Sequence, residues 1–405
     1  VPLPGVGGLE THYSEIIEHF SSLGAPIILL CPKLVKDNDS SNSFEIKMKK
    51  KNVKILRIPI SPPNLYYEKA GSINYIFLIV KMLMFWAIST FYAILAVKKY
   101  RPRSCLMRHT LLFYPLPWIL KLYKVRIIGD GDVVSSSGVY FFFKARALAK
   151  RSPAKNGHFH NTIFIQVIQC IVEKLEQDMF SHYDSFRAIS PSLACDPQLK
   201  RLISNEKIVM IPPAVDVSRI PCASNCVSDV AYFGVLEEFE GLETLLRSFA
   251  KVLKHHPYLK LHIFGDGPLR QKLQEMVKEL DIASSVIFYG TLPRNRLFSY
   301  FSKFNIAVFP RIGGYGHIPI KIIEALAAGK ATIATNVKGI GDVFCSREIM
   351  FVKPFDEVEL TDAILKLLKD ERLRKELSTY GQLKARQFDA SKTYKKLFEL
   401  VTSST

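Results

Sequence analysis

Phe309-Pro310-Arg311-Ile312-Gly313-Gly314-Tyr315-Gly316-His317-Ile318-Pro319-Ile320-Lys321-Ile322-Ile323-Glu324-Ala325-Leu326-Ala327-Ala328-Gly329-Lys330 decides the fold. The apolar run Ile306–Pro310 has the length of a buried strand and ends in a glycine loop. Pro319 suits the first turn of a helix, and Gly329 suits its stop. A strand, a glycine loop and a helix in that order form one unit of a doubly wound sheet, whose ligands bind at the carboxyl edge. Lys321 and Glu324 lie three apart and share one helical face near the loop. A cation and a carboxylate beside an anion-binding loop suit a nucleotide sugar, with Lys321 for phosphates and Glu324 for paired ribose hydroxyls. A surface ion pair on a capped helix fits the same spacing.

Outward from this stretch the rhythm repeats. Strand-like runs at Val230–Gly234, Lys260–Phe264, Ser285–Tyr289 and Ala331–Thr335 are separated by helical periodicity. The first half carries the same alternation at Pro26–Leu30, Val53–Pro59, Ser104–Arg108, Val125–Gly129 and Phe186–Ser190, which predicts a second parallel sheet. A chain of 405 residues accommodates two such domains and a cleft between them. The expected division is residues 1–216, a linker at 217–228 holding Pro221 and two close cysteines, a second domain at 229–390, and a helical tail at 391–405. Helix signals begin at Leu9, so the usual opening strand of the first domain is expected before residue 1.

The net charge of +18 favours anionic partners: a membrane surface, nucleic acid or phosphorylated substrates. The aromatics fall in apolar helical runs rather than on an exposed basic sheet, which speaks against nucleic acid. The seven cysteines lack the paired spacing of a zinc site and are expected as reduced thiols in a cytosolic setting; the isolated His158 and His160 give no reason to expect a metal. Val1–Gly8 is rich in proline and glycine, unlike a signal peptide. Ile73–Val97 is long enough to span a bilayer, but Asn74, Lys81 and the following Lys98, Lys99, Arg101 and Arg103 favour a helix packed on the sheet or lying in the membrane interface. Val139–Ala149 mixes Tyr140–Phe143 with Lys144 and Arg146, in the manner of an interfacial helix or of a core helix with a basic face.

Two further glycine loops stand where ligands bind. Gly5-Val6-Gly7-Gly8-Leu9-Glu10-Thr11-His12 enters a helix, where backbone N–H groups and the positive helix end can hold a phosphate; a plain turn explains the glycines equally. Phe264-Gly265-Asp266-Gly267-Pro268-Leu269-Arg270 follows a strand and opens a helix.

With Tyr183-Asp184, Ile189-Ser190, Ile211-Pro212-Pro213-Ala214-Val215-Asp216 and the run from Glu324 through Thr335 to Gly339–Val343, these segments occur in an order that resembles family 4 of the retaining GT-B glycosyltransferases, from the first residues to about Ser391. The resemblance implies the GT-B fold, an α/β architecture of two doubly wound Rossmann-like domains facing a cleft. It also implies metal-independent, retaining sugar transfer from a nucleotide diphosphate, with no cofactor beyond that co-substrate. By position, Glu324 would bind the donor ribose. Gly7 and Gly8 would approach the donor phosphates, Gly265, Gly267 and Pro268 would border the base, and Ile340 would offer backbone to the donor. Asp130 stands where the family places a His or Asn near the transferred sugar, and could accept a hydrogen bond from it or simply cap a turn; Arg108 and His109 end the preceding strand, a position that suits contact with an acceptor phosphate or a structural role.

The departures are specific. The first glutamate of the family's Glu, seven residues, Glu signature falls at Gly316. Its diphosphate-binding arginine falls at Val235 and its lysine at Glu240. Arg311 and Lys321 are then the expected source of compensating charge. Two functions follow as expectations. One is transfer to a glycan or lipid-linked acceptor at the cytosolic, anionic face of a membrane. The other is a degenerate GT-B protein without turnover that serves as a binding partner or scaffold.

Overall fold

The computed structural model describes residues 8–32, 53–59, 72–110, 113–131, 158–222, 229–313 and 316–403. The second half is built on six parallel strands: β7 (Val230–Phe233), β8 (Leu261–Phe264), β9 (Val286–Gly290), β10 (Ile306–Phe309), β11 (Ala331–Thr335) and β12 (Ile349–Val352). Their spatial order is β12-β11-β10-β7-β8-β9. Read from β9, this is the 3-2-1-4-5-6 order of a doubly wound sheet, and it reverses between β7 and β10. All four residues of β7, β8 and β10 are buried, which is why β7 and β10 appear in the sequence as continuous apolar runs instead of alternating ones.

The first half carries β1 (Ile28–Pro32) paired in parallel with β2 (Lys54–Ile58), and a second parallel ladder of β3 (Ser104–Arg108), β4 (Arg126–Gly131), β5 (Ser185–Ala188) and β6 (Ile208–Met210). Its helices are α1 (Gly8–Ser22), α2 (Ser72–Tyr100), α3 (Leu116–Leu122), α4 (His158–Ser181), α5 (Pro191–Ala194) and α6 (Pro197–Leu202). The second half adds α7 (Leu242–Leu253), α8 (Arg270–Glu279), α9 (Arg294–Ser299), α10 (Ile320–Ala327), α11 (Glu357–Lys369), α12 (Glu371–Ala385) and α13 (Ala390–Thr402). In α7 the buried Leu242, Leu245, Leu246, Phe249 and Val252 repeat at helical spacing and close the main core over the sheet.

The chain crosses between the halves at two adjacent points. Val215 donates its N–H to the Phe388 carbonyl at 3.0 Å, and Ala390 donates to the Val215 carbonyl at 2.8 Å. Asp389 then caps α13 by accepting from the Ser391 N–H at 2.9 Å, and the helix turns back onto the first half. There Tyr394 and Leu397 pack with Tyr13, Ile16 and Phe20 of α1. Residues 215 and 388–390 thus form a paired strip between the halves; of the linker expected at 217–228, residues 223–228 lie outside the described residues. β6 and β12 were not expected from sequence, while Val139–Ala149 and the loop containing Gly7 also lie outside the described residues. Pro319 occupies the cap position immediately before α10, not its first turn.

Candidate functional site

The reversal of strand order places the loops after β7 and β10 side by side, and the ionic residues collect there. Lys321, one residue into α10, directs its ammonium onto the buried Glu240 carboxylate and donates to the Tyr232 hydroxyl at 3.2 Å. It also lies over the Tyr232 ring, 4.7 Å from its centroid. Arg311, at the mouth of β10, pairs with the His317 imidazole at 2.8 Å and lies 4.9 Å over the Phe239 ring. Its Nε–H is buried without a hydrogen-bond partner among the described residues. Burial pushes the Glu240 carboxyl up, but Lys321 and then Arg311 outweigh it and hold the group below its ordinary value. Burial lowers the Lys321 ammonium, and Arg311 lowers it further against the pull of Glu240. The buried Arg311 and the partly buried Lys321 thus face one buried carboxylate, leaving positive charge where the sheet opens.

Glycines bring the backbone together around this charge. Gly265 has φ +131°, and a Cβ there would stand 1.8 Å from the Gly234 carbonyl oxygen. A Cβ on Gly234 would meet the Lys321 Nζ at 2.7 Å. The Gly267 side faces Leu236, whose N–H donates to the Asp266 carbonyl at 3.0 Å. Pro268 sits in the turn that opens α8. These contacts lock the loop after β8 against the loop after β7.

Glu324 lies one turn along α10 from Lys321 and is buried. Its Oε1 accepts from the Arg294 guanidinium, at 2.5 Å from Nε, and the same guanidinium also meets Glu15 of α1. Burial raises the Glu15 carboxyl, Arg294 opposes this, and the net position is about 7. Neither Glu15 nor Arg294 was expected at the site from sequence, because 279 residues separate them and no periodicity links them.

Two contacts across the cleft use other expected positions. Gly316 is buried with φ +80°, and its carbonyl accepts from the Ser190 hydroxyl. Ile340 is buried in the turn where Gly339 donates to Asp342 Oδ1 at 2.5 Å, while Asp342 Oδ2 accepts from the Ser192 N–H at 3.0 Å. Gly8 begins α1.

On the first half, Asp130 ends β4 and pairs with the fully buried Arg187 at 3.2 Å. Arg187 spends its other donors on the Ile211 and Pro212 carbonyls, at 2.8 and 2.7 Å. Arg108 ends β3, half-buried, and its charge reaches Tyr13. His109 is placed in the core: Nδ1 is 3.0 Å from the Tyr183 hydroxyl, Nε2 is 3.0 Å from Glu176, and the ring stacks near Phe180. Both ring nitrogens are engaged inside the protein, so the acceptor contact expected of His109 gives way to a core role.

Residues 228–384 match the family model described as glycosyl transferases group 1. An uncharacterized glycosyltransferase of Methanocaldococcus jannaschii is 31% identical over 193 residues, 40% of this chain and 46% of that one. An N-acetylgalactosamine-N,N'-diacetylbacillosaminyl-diphospho-undecaprenol 4-alpha-N-acetylgalactosaminyltransferase of Campylobacter jejuni is 26% identical over 200 residues, 47% of this chain and 52% of that one. The chain spans about half the length of these curated relatives. Among solved structures, sucrose-phosphate synthase from Thermosynechococcus elongatus superposes with a TM-score of 0.71 at 17% identity, covering 97% of this chain and 92% of that one. Anabaena HepE in complex with UDP superposes at 0.68 and 13% identity, covering 100% and 98%. The chain has the GT-B fold, and its residues 228–384 are similar to the glycosyl transferases group 1.

Proposed function

We propose that this protein is a retaining glycosyltransferase that takes a sugar from a nucleotide diphosphate held by the second half and passes it to a glycan or lipid-linked acceptor on the first. The observation that carries this is the charge arrangement at the switch point. Lys321 reaches the place left without a lysine by Glu240 and neutralises that carboxylate, while Arg311 supplies a second cation. A departing diphosphate therefore meets positive charge and not an exposed Glu240, which favours a working, rewired site over a decayed scaffold. Positioning and diphosphate stabilisation perform the catalysis without a metal or other cofactor. Glu324 takes the ribose, Ile340 and the Gly265–Pro268 loop border the nucleotide, and Asp130, held by Arg187, faces the transferred sugar.

The acceptor side docks on the cytosolic face of an anionic membrane. α2 is long and apolar enough to cross a bilayer over Val80–Tyr100, yet its ring contacts Phe85–Phe113 and Trp86–Tyr114 fix it beside α3. It exposes Leu83, Met84, Phe91 and Leu95, next to exposed Trp118 and Leu122 of α3. The exposed Lys98, Lys99, Arg101 and Arg103 follow. An apolar face rimmed by cations suits anionic lipid headgroups and an acceptor anchored among them.

Turnover tests the function. Incubation with UDP-, GDP- and ADP-sugars in the presence of lipid-linked acceptors is expected to release one nucleoside diphosphate, and Lys321→Ala is expected to abolish that release. Absence of release with every donor, from folded protein, would favour the scaffold.

A further inference from the structure

Resting on the reading of Glu324 as the ribose carboxylate, we propose that Arg294 is the positioning residue for that carboxylate and couples donor-ribose recognition to docking of α1 through Glu15. Arg294 opens α9, behind β9, and its guanidinium reaches two carboxylates that belong to different halves of the chain. Nε and NH2 both converge on Oε1 of Glu324. Oε2 of Glu324 accepts no hydrogen bond among the described residues, although the side chain is only 6% exposed. A buried carboxylate with one oxygen engaged and the other open leaves the lone pairs of that second oxygen to accept from the ribose hydroxyls.

The third guanidinium donor, NH1, goes to Glu15 Oε1, and Glu15 Oε2 lies 3.4 Å from the Tyr394 hydroxyl. Tyr394 in turn donates to the Ala214 carbonyl at 3.1 Å, beside the crossing point of the chain. The groups facing the guanidinium are thus Glu324 from α10, Glu15 from α1 and Tyr394 from α13, with the Phe298 ring 5.6 Å from its centre. Burial lowers the guanidinium pKa, but Glu324 and Glu15 more than offset it, so Arg294 stays charged. Separation of the halves would remove Glu15 from one side of the guanidinium and leave Glu324 free to turn. Ribose grip and domain docking are therefore one event.

The test measures affinity for the tightest binder among UDP, GDP and ADP and for its 2′,3′-dideoxy counterpart. The wild-type chain is expected to prefer the ribonucleotide by about tenfold, the scale of one charge-assisted hydrogen bond. Arg294→Ala is expected to erase that preference, Arg294→Lys to restore part of it, and Glu15→Ala to weaken it. Thermal unfolding identifies folded variants, and the preference is a ratio that a merely loosened structure leaves in place. If Glu324→Ala erases the preference while Arg294→Ala and Glu15→Ala keep it, the role given to Arg294 is overturned. If Glu324→Ala also keeps it, or the folded wild-type chain binds none of UDP, GDP and ADP, the donor-site reading falls and this proposal with it.

Discussion

The Lys321 ammonium closes on the Glu240 carboxylate, joining the first turn of α10 to the loop after β7 across the point where the sheet order reverses. Removal of one partner from a buried pair strands the other. Lys321→Ala is expected to lower stability by on the order of 3 kcal/mol, and Lys321→Ala with Glu240→Ala to recover most of that loss in denaturant titrations. Nucleotide binding should remain lost in both variants, because the second removes the stranded carboxylate but does not bring back the Lys321 cation.

Two neighbouring glycines hold the loops after β7 and β8 in place. Gly265→Ala drives a methyl into the Gly234 carbonyl and should cost more than about 3 kcal/mol. Gly234→Ala takes a strained φ of +150° and meets both the Lys321 ammonium and the Tyr232 hydroxyl, so it should displace Lys321 and weaken donor binding as well as lower the melting temperature.

Glu15 sets a pH dependence. Its carboxyl is raised from 4.5 to about 7 by burial, so between those values the folded chain holds a proton that the unfolded chain has released. This group's contribution to stability is full below pH 4.5, falls as the pH rises toward about 7, and is flat above it. Glu15→Gln should remove that slope from a series of unfolding measurements between pH 5 and 8; an unchanged slope would assign it elsewhere.

Binding to sedimented vesicles reports on the α2–α3 surface. Vesicles with anionic lipid should retain the protein and neutral ones should not, each engaged Lys or Arg adding about 1 kcal/mol. Phe91→Ser with Trp118→Ser should release it at unchanged melting temperature; equal binding to both vesicle types would remove the anionic surface from the account.

The second half was legible because its strands are buried on both faces: Val230–Phe233 and Ile306–Phe309 leave unbroken apolar runs. Ile208–Met210 and Ile349–Val352 are short and partly exposed, so neither pattern announces them. Lys321, Arg311 and Glu324 were legible because one loop and one helix turn carry all three. Pairings set by tertiary docking were not: Glu15 meets Arg294 across the two halves, where α1 packs on α13. His109 misled because a strand end reads as an edge, whereas Phe180, Tyr183 and Phe186 enclose it.

The most direct measurement of the central claim is calorimetric titration of UDP-, GDP- and ADP-sugars into the wild-type chain and into Glu324→Ala. Saturable binding of one nucleotide class by the wild type, weakened at least tenfold by the substitution, is the predicted result. Equal binding by both proteins, or none by the folded wild type, would contradict a donor site at the junction of β7, β10 and α10.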